Sequence, residues 1–254
     1  NYENFNFDFL LAGQLRSSGT PSWLVMNSSA AGNWRGKAIV PSQGHTYVAA
    51  NVAAPNSGNY RVYVSKHDPD KPGLPVWARN FGSAKGASVA AGCADAEGNV
   101  YFVGTTQADA SAPFDLASHT PQGPSIFLVK FAPNSRAVFA RVLAEPRLGV
   151  VTDVQYHAGR LYVSANLQLQ PGRTRAALGL FSAATGHALL AGPVLQPVRP
   201  DTGDSETVTG LAIDYPAVYL VGQTNNISMG ANLFADGDPL TSPARAAYIL
   251  KLSA

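Results

Sequence analysis

The stretch Gly98-Asn99-Val100-Tyr101-Phe102-Val103-Gly104 decides the fold, because it recurs. A turn leads into an apolar run around one aromatic, and a small residue follows. The same order appears in Gly44-His45-Thr46-Tyr47-Val48-Ala49-Ala50, in Gly159-Arg160-Leu161-Tyr162-Val163-Ser164-Ala165 and in Pro216-Ala217-Val218-Tyr219-Leu220-Val221-Gly222. A fainter copy is Asp8-Phe9-Leu10-Leu11-Ala12-Gly13. With Leu10, Tyr47, Tyr101, Tyr162 and Tyr219 as equivalents, the steps are 37, 54, 61 and 57 residues. Their mean is about 52, near the roughly 40–50 residues of one four-stranded propeller blade.

Working outward, each copy has neighbours that read as strands. A second strand follows it: Trp23–Met26, Tyr60–Lys66, Ile126–Phe131, Ala177–Phe181 and Ala247–Leu252. Tight turns rich in Pro, Asp, Asn and Gly then lead to Val76–Arg79, Ala137–Val142 and Ala188–Leu190. These residue types suit turns because they fix φ or tolerate positive φ. A short strand of small apolar residues precedes each tyrosine, at Lys37–Val40, Ala87–Ala91, Val150–Val154 and Thr207–Ala212. The first copy lacks an innermost strand and the last an outermost one. Residues 1–7 are similar to Trp77–Gly82 and offer the missing outer strand. The expectation is an all-β fold, a β-propeller of about five blades of four-stranded antiparallel sheets. It forms a single domain over 1–254, with blade-like repeats at about 1–36, 37–86, 87–148, 149–204 and 205–254.

Composition agrees. The 254 residues include 24 Gly and 18 Pro, with 46% hydrophobic and only 13% charged residues. That is too apolar for disorder and too rich in breakers for a helical bundle. A blade alone would leave two apolar faces in water, so neighbouring blades must cover them. The net charge is +2, and the 18 basic residues are dispersed, which argues against a nucleic-acid footprint. No apolar run reaches the roughly 20 residues of a transmembrane helix. The chain begins at Asn1 rather than Met, so a processed chain or a piece of a longer one is expected.

The unit at 76–142 resembles the SBBP-type β-propeller repeat family of bacterial cell-surface and secreted proteins. The resemblance rests on Trp77 leading to Phe81-Gly82-Ser83, on Asp95-Ala96-Glu97-Gly98-Asn99-Val100-Tyr101-Phe102-Val103-Gly104-Thr105, and on Phe127-Leu128-Val129-Lys130-Phe131. The last unit repeats part of it with Tyr219–Thr224 and Tyr248–Leu252, while the first two keep only the outline. The motif concerns blade packing. It implies an extracellular or cell-surface interaction module and no particular chemistry.

Residues able to carry chemistry are scattered. His45, His67, His119, His157 and His187 show no metal-ligand spacing, and no metal site is expected. Cys93 has no CxxC partner and reads as a structural thiol. No nucleophile elbow or phosphate loop is present, so no catalytic or cofactor-binding residue is assigned. Asp201–Glu206 and Asp236-Gly237-Asp238 carry oxygens suited to calcium but fit no complete EF-hand loop. They read as turn formers, and no cofactor is expected. Asn27-Ser28-Ser29 and Asn226-Ile227-Ser228 fit the N-glycosylation acceptor pattern and agree with secretion. Trp23 and Trp77 fall on strands, to fill space between blades, whereas Trp34 is less defined. The long loops 105–124 and 223–244 join equivalent strands and should share one rim.

The leading expectation is therefore a non-catalytic extracellular or cell-surface module that binds other protein chains through that rim. The alternatives are an enzyme, a lyase or hydrolase, acting at the central channel, and a carbohydrate-binding lectin. An enzyme should show a polar pocket on the axis with converging carboxylates or histidines. A lectin should show equivalent pockets between successive blades, each with an aromatic. A structural module should show large apolar contacts with other chains and no deep polar pocket.

Overall fold

The computed structural model describes residues 9–12, 24–27, 33–53, 59–71, 74–118, 123–191, 193–198, 205–225 and 246–253. Every regular element among them is a β-strand. They form five antiparallel sheets in chain order. The first is the pair β1 (Phe9–Ala12) and β2 (Leu24–Asn27). The second is β3 (Asn33–Ser42), β4 (His45–Ala53), β5 (Tyr60–His67) and β6 (Trp77–Phe81). The third is β7 (Ala87–Ala94), β8 (Val100–Thr106), β9 (Ser125–Phe131) and β10 (Ala137–Ala144). The fourth is β11 (Leu148–His157), β12 (Arg160–Gln170), β13 (Arg173–Ser182) and β14 (Gln196–Pro197). The fifth is β15 (Glu206–Asp214), β16 (Ala217–Thr224) and β17 (Ala246–Ser253). Strand order follows chain order within each sheet, so the expected all-β propeller blades are what the chain forms.

The sequence placed one strand differently. In the fourth sheet the outer strand β14 lies at Gln196–Pro197, while the expected segment bonds to β13 more briefly, through a bridge of Ala188 with Phe181 and bonds from Ser182 N to His187 O and Leu189 N to Leu180 O, both at 2.8 Å. Leu189 and Leu190 are exposed there, so burial does not hold this segment to the sheet. Residues 1–7, the expected outer strand of the last sheet, lie outside the described residues.

The chain divides into two compact units, Asn1–Ala144 and Glu145–Ala254. In the first, the second and third sheets bury Val62, Val64, Phe81, Val89, Phe102, Phe127 and Phe131 in one core. In the second, Tyr162, Val208, Leu211, Val218 and Leu220 form the core. The hairpin turns Gln43-Gly44 and Ala158-Gly159 have positive φ at both residues, which matches the right-handed twist of the strands they join.

The repeated tyrosine has a recurrent partner. Tyr47 pairs across the sheet with Lys66, Tyr101 with Lys130 and Tyr219 with Lys251. Each ammonium lies over its ring, at 5.6, 5.0 and 5.8 Å from the centroid. In the fourth sheet Leu180 stands opposite Tyr162 instead. The lysine stem covers the apolar ring while its charge meets the electron-rich face.

The first strand of each larger sheet carries a bulge at an equivalent place, between Gly36 and Ala38, Val89 and Ala91, Val151 and Asp153, and Val208 and Gly210. An asparagine from the preceding sheet takes up the backbone beside two of these bulges. Asn51 Oδ1 accepts from Val89 N at 2.8 Å, and its Nδ2 donates to Ser88 Oγ and Val89 O. Asn166 Oδ1 accepts from Val208 N at 2.7 Å, and its Nδ2 donates to Val208 O at 3.1 Å. Both asparagines are buried and lie four residues after a repeat tyrosine. Each closes a joint between adjacent sheets of one unit.

Candidate functional site

The polar motif residues of the third sheet are engaged internally. Asp95 caps the turn into β8 by accepting from Asn99 N and Asn99 Nδ2, both at 2.8 Å, and from Tyr101 Oη at 2.7 Å. Lys130 Nζ stands 3.7 Å from the same carboxylate. Burial works against the Asp95 charge, but these donors prevail and hold its carboxyl below the ordinary range. Residues that resembled a family motif thus lock a hairpin to its neighbouring strand.

The described part of the long loop after β8 is also occupied. Phe114 is fully buried between Phe81 and Phe127, with ring centroids 5.8 and 5.2 Å away. Asp115 N donates to Gly82 O at 2.9 Å, and Ser83 Oγ donates to Ala112 O at 2.6 Å. Ion pairs Lys85–Asp109 and Arg61–Asp115 fasten its flanks. The Lys85 ammonium and the Ser111 hydroxyl keep the Asp109 carboxyl far below its ordinary value. The other long loop lies outside the described residues beyond Asn225.

The histidines stand apart. His67 is buried beside Ser65, 2.8 Å from its hydroxyl, and burial lowers its basicity. His157 stacks on Tyr215 with centroids 5.0 Å apart. His45 meets Gln43 O and His187 is exposed. Among the described residues no three His, Cys, Asp or Glu side chains gather as metal ligands would. Cys93 is half-buried on β7. Trp77 packs against Tyr47 and Phe131 and donates from Nε1 to Pro133 O, and Trp34 sits edge-on to Tyr63. Trp23, His119, Asn226, Asp201–Asp204 and Asp236–Asp238 lie outside the described residues, and of Asn27 only the strand placement is described.

An open concavity does exist, in the second unit. The turn into β13, the start of β15 and the end of β16 enclose a cleft of about 290 Å³. Gly172, Thr174, Ser205, Thr207, Gln223, Thr224 and Asn225 line it. Antiparallel pairing builds the wall: Thr207 faces Gln223, and Glu206 faces Thr224. The Pro171-Gly172 turn is only two residues long and leaves the mouth open. Gly222 makes the strand approach possible, since a Cβ there would fall 1.8 Å from Thr207 O.

The polar groups of the cleft are tied into one network. Thr174 N donates to Ser205 Oγ at 3.1 Å, and the two hydroxyls lie 3.0 Å apart. Ser205 N donates to Asn225 Oδ1 at 2.7 Å, and Asn225 N returns a bond to Ser205 O at 3.1 Å. Thr207 Oγ1 faces Gln223 O at 3.5 Å. The lining is hydroxyl, amide and glycine, with no ionisable side chain. Such a surface can exchange hydrogen bonds with a neutral ligand that both donates and accepts, and it offers no counter-charge to an ion. Glu206, between the lining residues Ser205 and Thr207, is buried, and elsewhere in this unit Asp153 accepts from Val154 N and Leu211 N at 2.7 and 3.1 Å, joining β11 to β15. Burial raises the affinity of Asp153 for a proton above the ordinary value.

Sequence reasoning missed this cleft. It draws on three separated segments of common residue types: Gln223, Thr224 and Asn225 open the long loop 223–244 and Ser205 falls in the acidic segment 201–206, but nothing in the sequence joins them to Gly172 and Thr174. No protein-family model and no curated protein matches the chain. Among solved structures it is similar to a Penicillium chrysogenum alpha-L-arabinanase complexed with arabinobiose, at 13% identity and a TM-score of 0.46. That likeness covers 85% of this chain and 62% of the arabinanase chain, so the chain spans less than two thirds of it. It is also similar to an alpha-L-arabinofuranosidase from Lactobacillus brevis, at 13% identity and a TM-score of 0.42, covering 91% of this chain and 77% of the other. Both are described as enzymes, against the expectation of a non-catalytic structural module, and that expectation is set aside. The cleft is polar, but no carboxylate or histidine converges on it.

Proposed function

We propose that the chain is a carbohydrate-directed propeller of the hydrolase kind, and that the cleft of its second unit holds the sugar. One observation carries this reading: the lining consists of pre-ordered hydroxyl and amide groups without a charge. A neutral saccharide presents hydroxyls that both donate and accept, and this network can meet them without desolvating an ion. Glycoside cleavage itself needs a pair of carboxyl groups. The lining supplies none, so what the cleft itself supports is binding. The same absence favours the lectin as the second reading.

Calorimetric titration with arabinobiose, xylobiose and cellobiose, followed by a reducing-end assay, tests the proposal. At least one neutral disaccharide should bind with a Kd of about 1 mM or tighter, and it should be cleaved. Binding without cleavage would move the protein to the lectin reading. No binding by any of the three would sink both. A secreted or cell-surface location belongs to the same proposal. Mass analysis of native peptides containing Asn27 and Asn226 tests that part, and unmodified peptides at both positions would count against it.

A further inference from the structure

We propose that Asn225 is a specificity-determining residue of this cleft, presenting its amide N–H groups to a hydroxyl oxygen of a neutral sugar. The inference rests on the saccharide reading above. Its basis is the brace between Asn225 and Ser205. A backbone N–H can only donate, so the 2.7 Å contact from Ser205 N fixes the oxygen end of the Asn225 amide toward Ser205. The return bond from Asn225 N to Ser205 O, at 3.1 Å, holds the backbone at the same place. The Nδ2 end, with two donors, is therefore the end that Ser205 does not engage. Asn225 is exposed and lines the cleft beside the paired hydroxyls of Ser205 and Thr174.

The result is a pattern of fixed donor beside adaptable hydroxyls. A sugar ring with adjacent hydroxyl groups matches it: one oxygen accepts from Nδ2, and its neighbour exchanges a bond with Ser205 or Thr174. The neutrality of the amide matters as much as its donors, because nothing else in the lining carries charge.

Asn225→Asp separates these roles. The carboxylate keeps an acceptor for Ser205 N, so the brace survives, while the two donors give way to a negative charge. The readout is the ratio of affinities for the tightest-binding neutral disaccharide of the panel and for the glucosamine disaccharide with its amines protonated. In Asn225→Asp this ratio should shift toward the amino sugar by tenfold or more, with Tm unchanged. A smaller shift overturns the inference. If Asn225→Asp does not fold, Asn225→Ser carries the test by removing the amide without adding charge. It should weaken the neutral disaccharide fivefold or more, and a smaller loss overturns the inference. Wild-type protein that binds no neutral saccharide would overturn the saccharide reading itself. Wild-type binding with an unmoved ratio would overturn only the role of Asn225.

Discussion

Residues 107–118 leave β8 at the same point of their sheet where Pro171-Gly172 leaves β12, yet the two connections do opposite things. The long one folds back, buries Phe114 and uses its acids against Arg61 and Lys85. The short one keeps out of the way and leaves Thr174, Ser205 and Thr207 beside an open cleft. Length alone does not separate the two outcomes: residues 107–118 pack into the blade, while Gln223, Thr224 and Asn225, the first residues of the other long connection, line the cleft beside the short turn.

The sharpest way to break this contrast is Phe114→Ala. If the long connection is a packed element, the change should cost about 3–5 kcal/mol by analogy with other buried Phe truncations. Thermal unfolding of the first unit would show the loss, saccharide binding in the second would not change, and an unaltered Tm would mean that the loop is not packed. Next in size are the two inter-sheet asparagines. Asn51→Ala and Asn166→Ala each strand a buried backbone N–H, at a cost of about 1–3 kcal/mol. Only Asn166→Ala should also weaken saccharide binding, since it loosens β15 below the cleft. Equal effects of both on binding would erase the distinction between the units.

Two carboxyls give a smaller, pH-dependent contrast. The folded-state value of Asp95 is depressed, so its contribution is present above the ordinary carboxylate value and is lost as pH falls below it. Asp153 is raised by burial, so its favourable contribution is present at low pH and is lost as pH rises through a value above the ordinary one. Asp95→Asn should therefore lower Tm at neutral pH, with the gap closing in acid. Asp153→Asn leaves one of the two backbone donors without an acceptor and should lower Tm, with the deficit widening in acid, where the wild-type carboxyl no longer bears a buried charge. Tm measured against pH for both variants checks the signs. The smallest effect belongs to Lys85→Ala. Its pair with Asp109 is exposed, so any change in Tm should be slight and should vanish in high salt.

The blades were legible because their signals repeat. The tyrosine strands, the Gly-containing turns and the small-residue first strands recur at blade spacing, and burial on both faces explains the low charge. The Asn51 and Asn166 joints left a readable trace, a polar residue at the same step past two repeat tyrosines, but its partner could not be known without the packing. The outer strand at Gln196–Pro197 was misplaced because Ala188-Leu189-Leu190 has the better strand composition and yet stays exposed. The cleft was legible only in pieces, Ser205 in the acidic segment 201–206 and Gln223, Thr224 and Asn225 in the loop 223–244. Thr174, Ser205 and Asn225 are ordinary surface residue types, and only the pairing of β15 with β16 and the shortness of the β12–β13 turn bring them together.

The proposed ligand site is this cleft, and not the connection at 107–118. Backbone amide NMR during titration with the neutral disaccharide that binds best tests it most directly. The account expects shifts at Thr174, Ser205, Thr207 and Asn225, with residues 107–118 unmoved. Shifts confined to 107–118, or saturable binding that leaves those four amides unchanged, would contradict it.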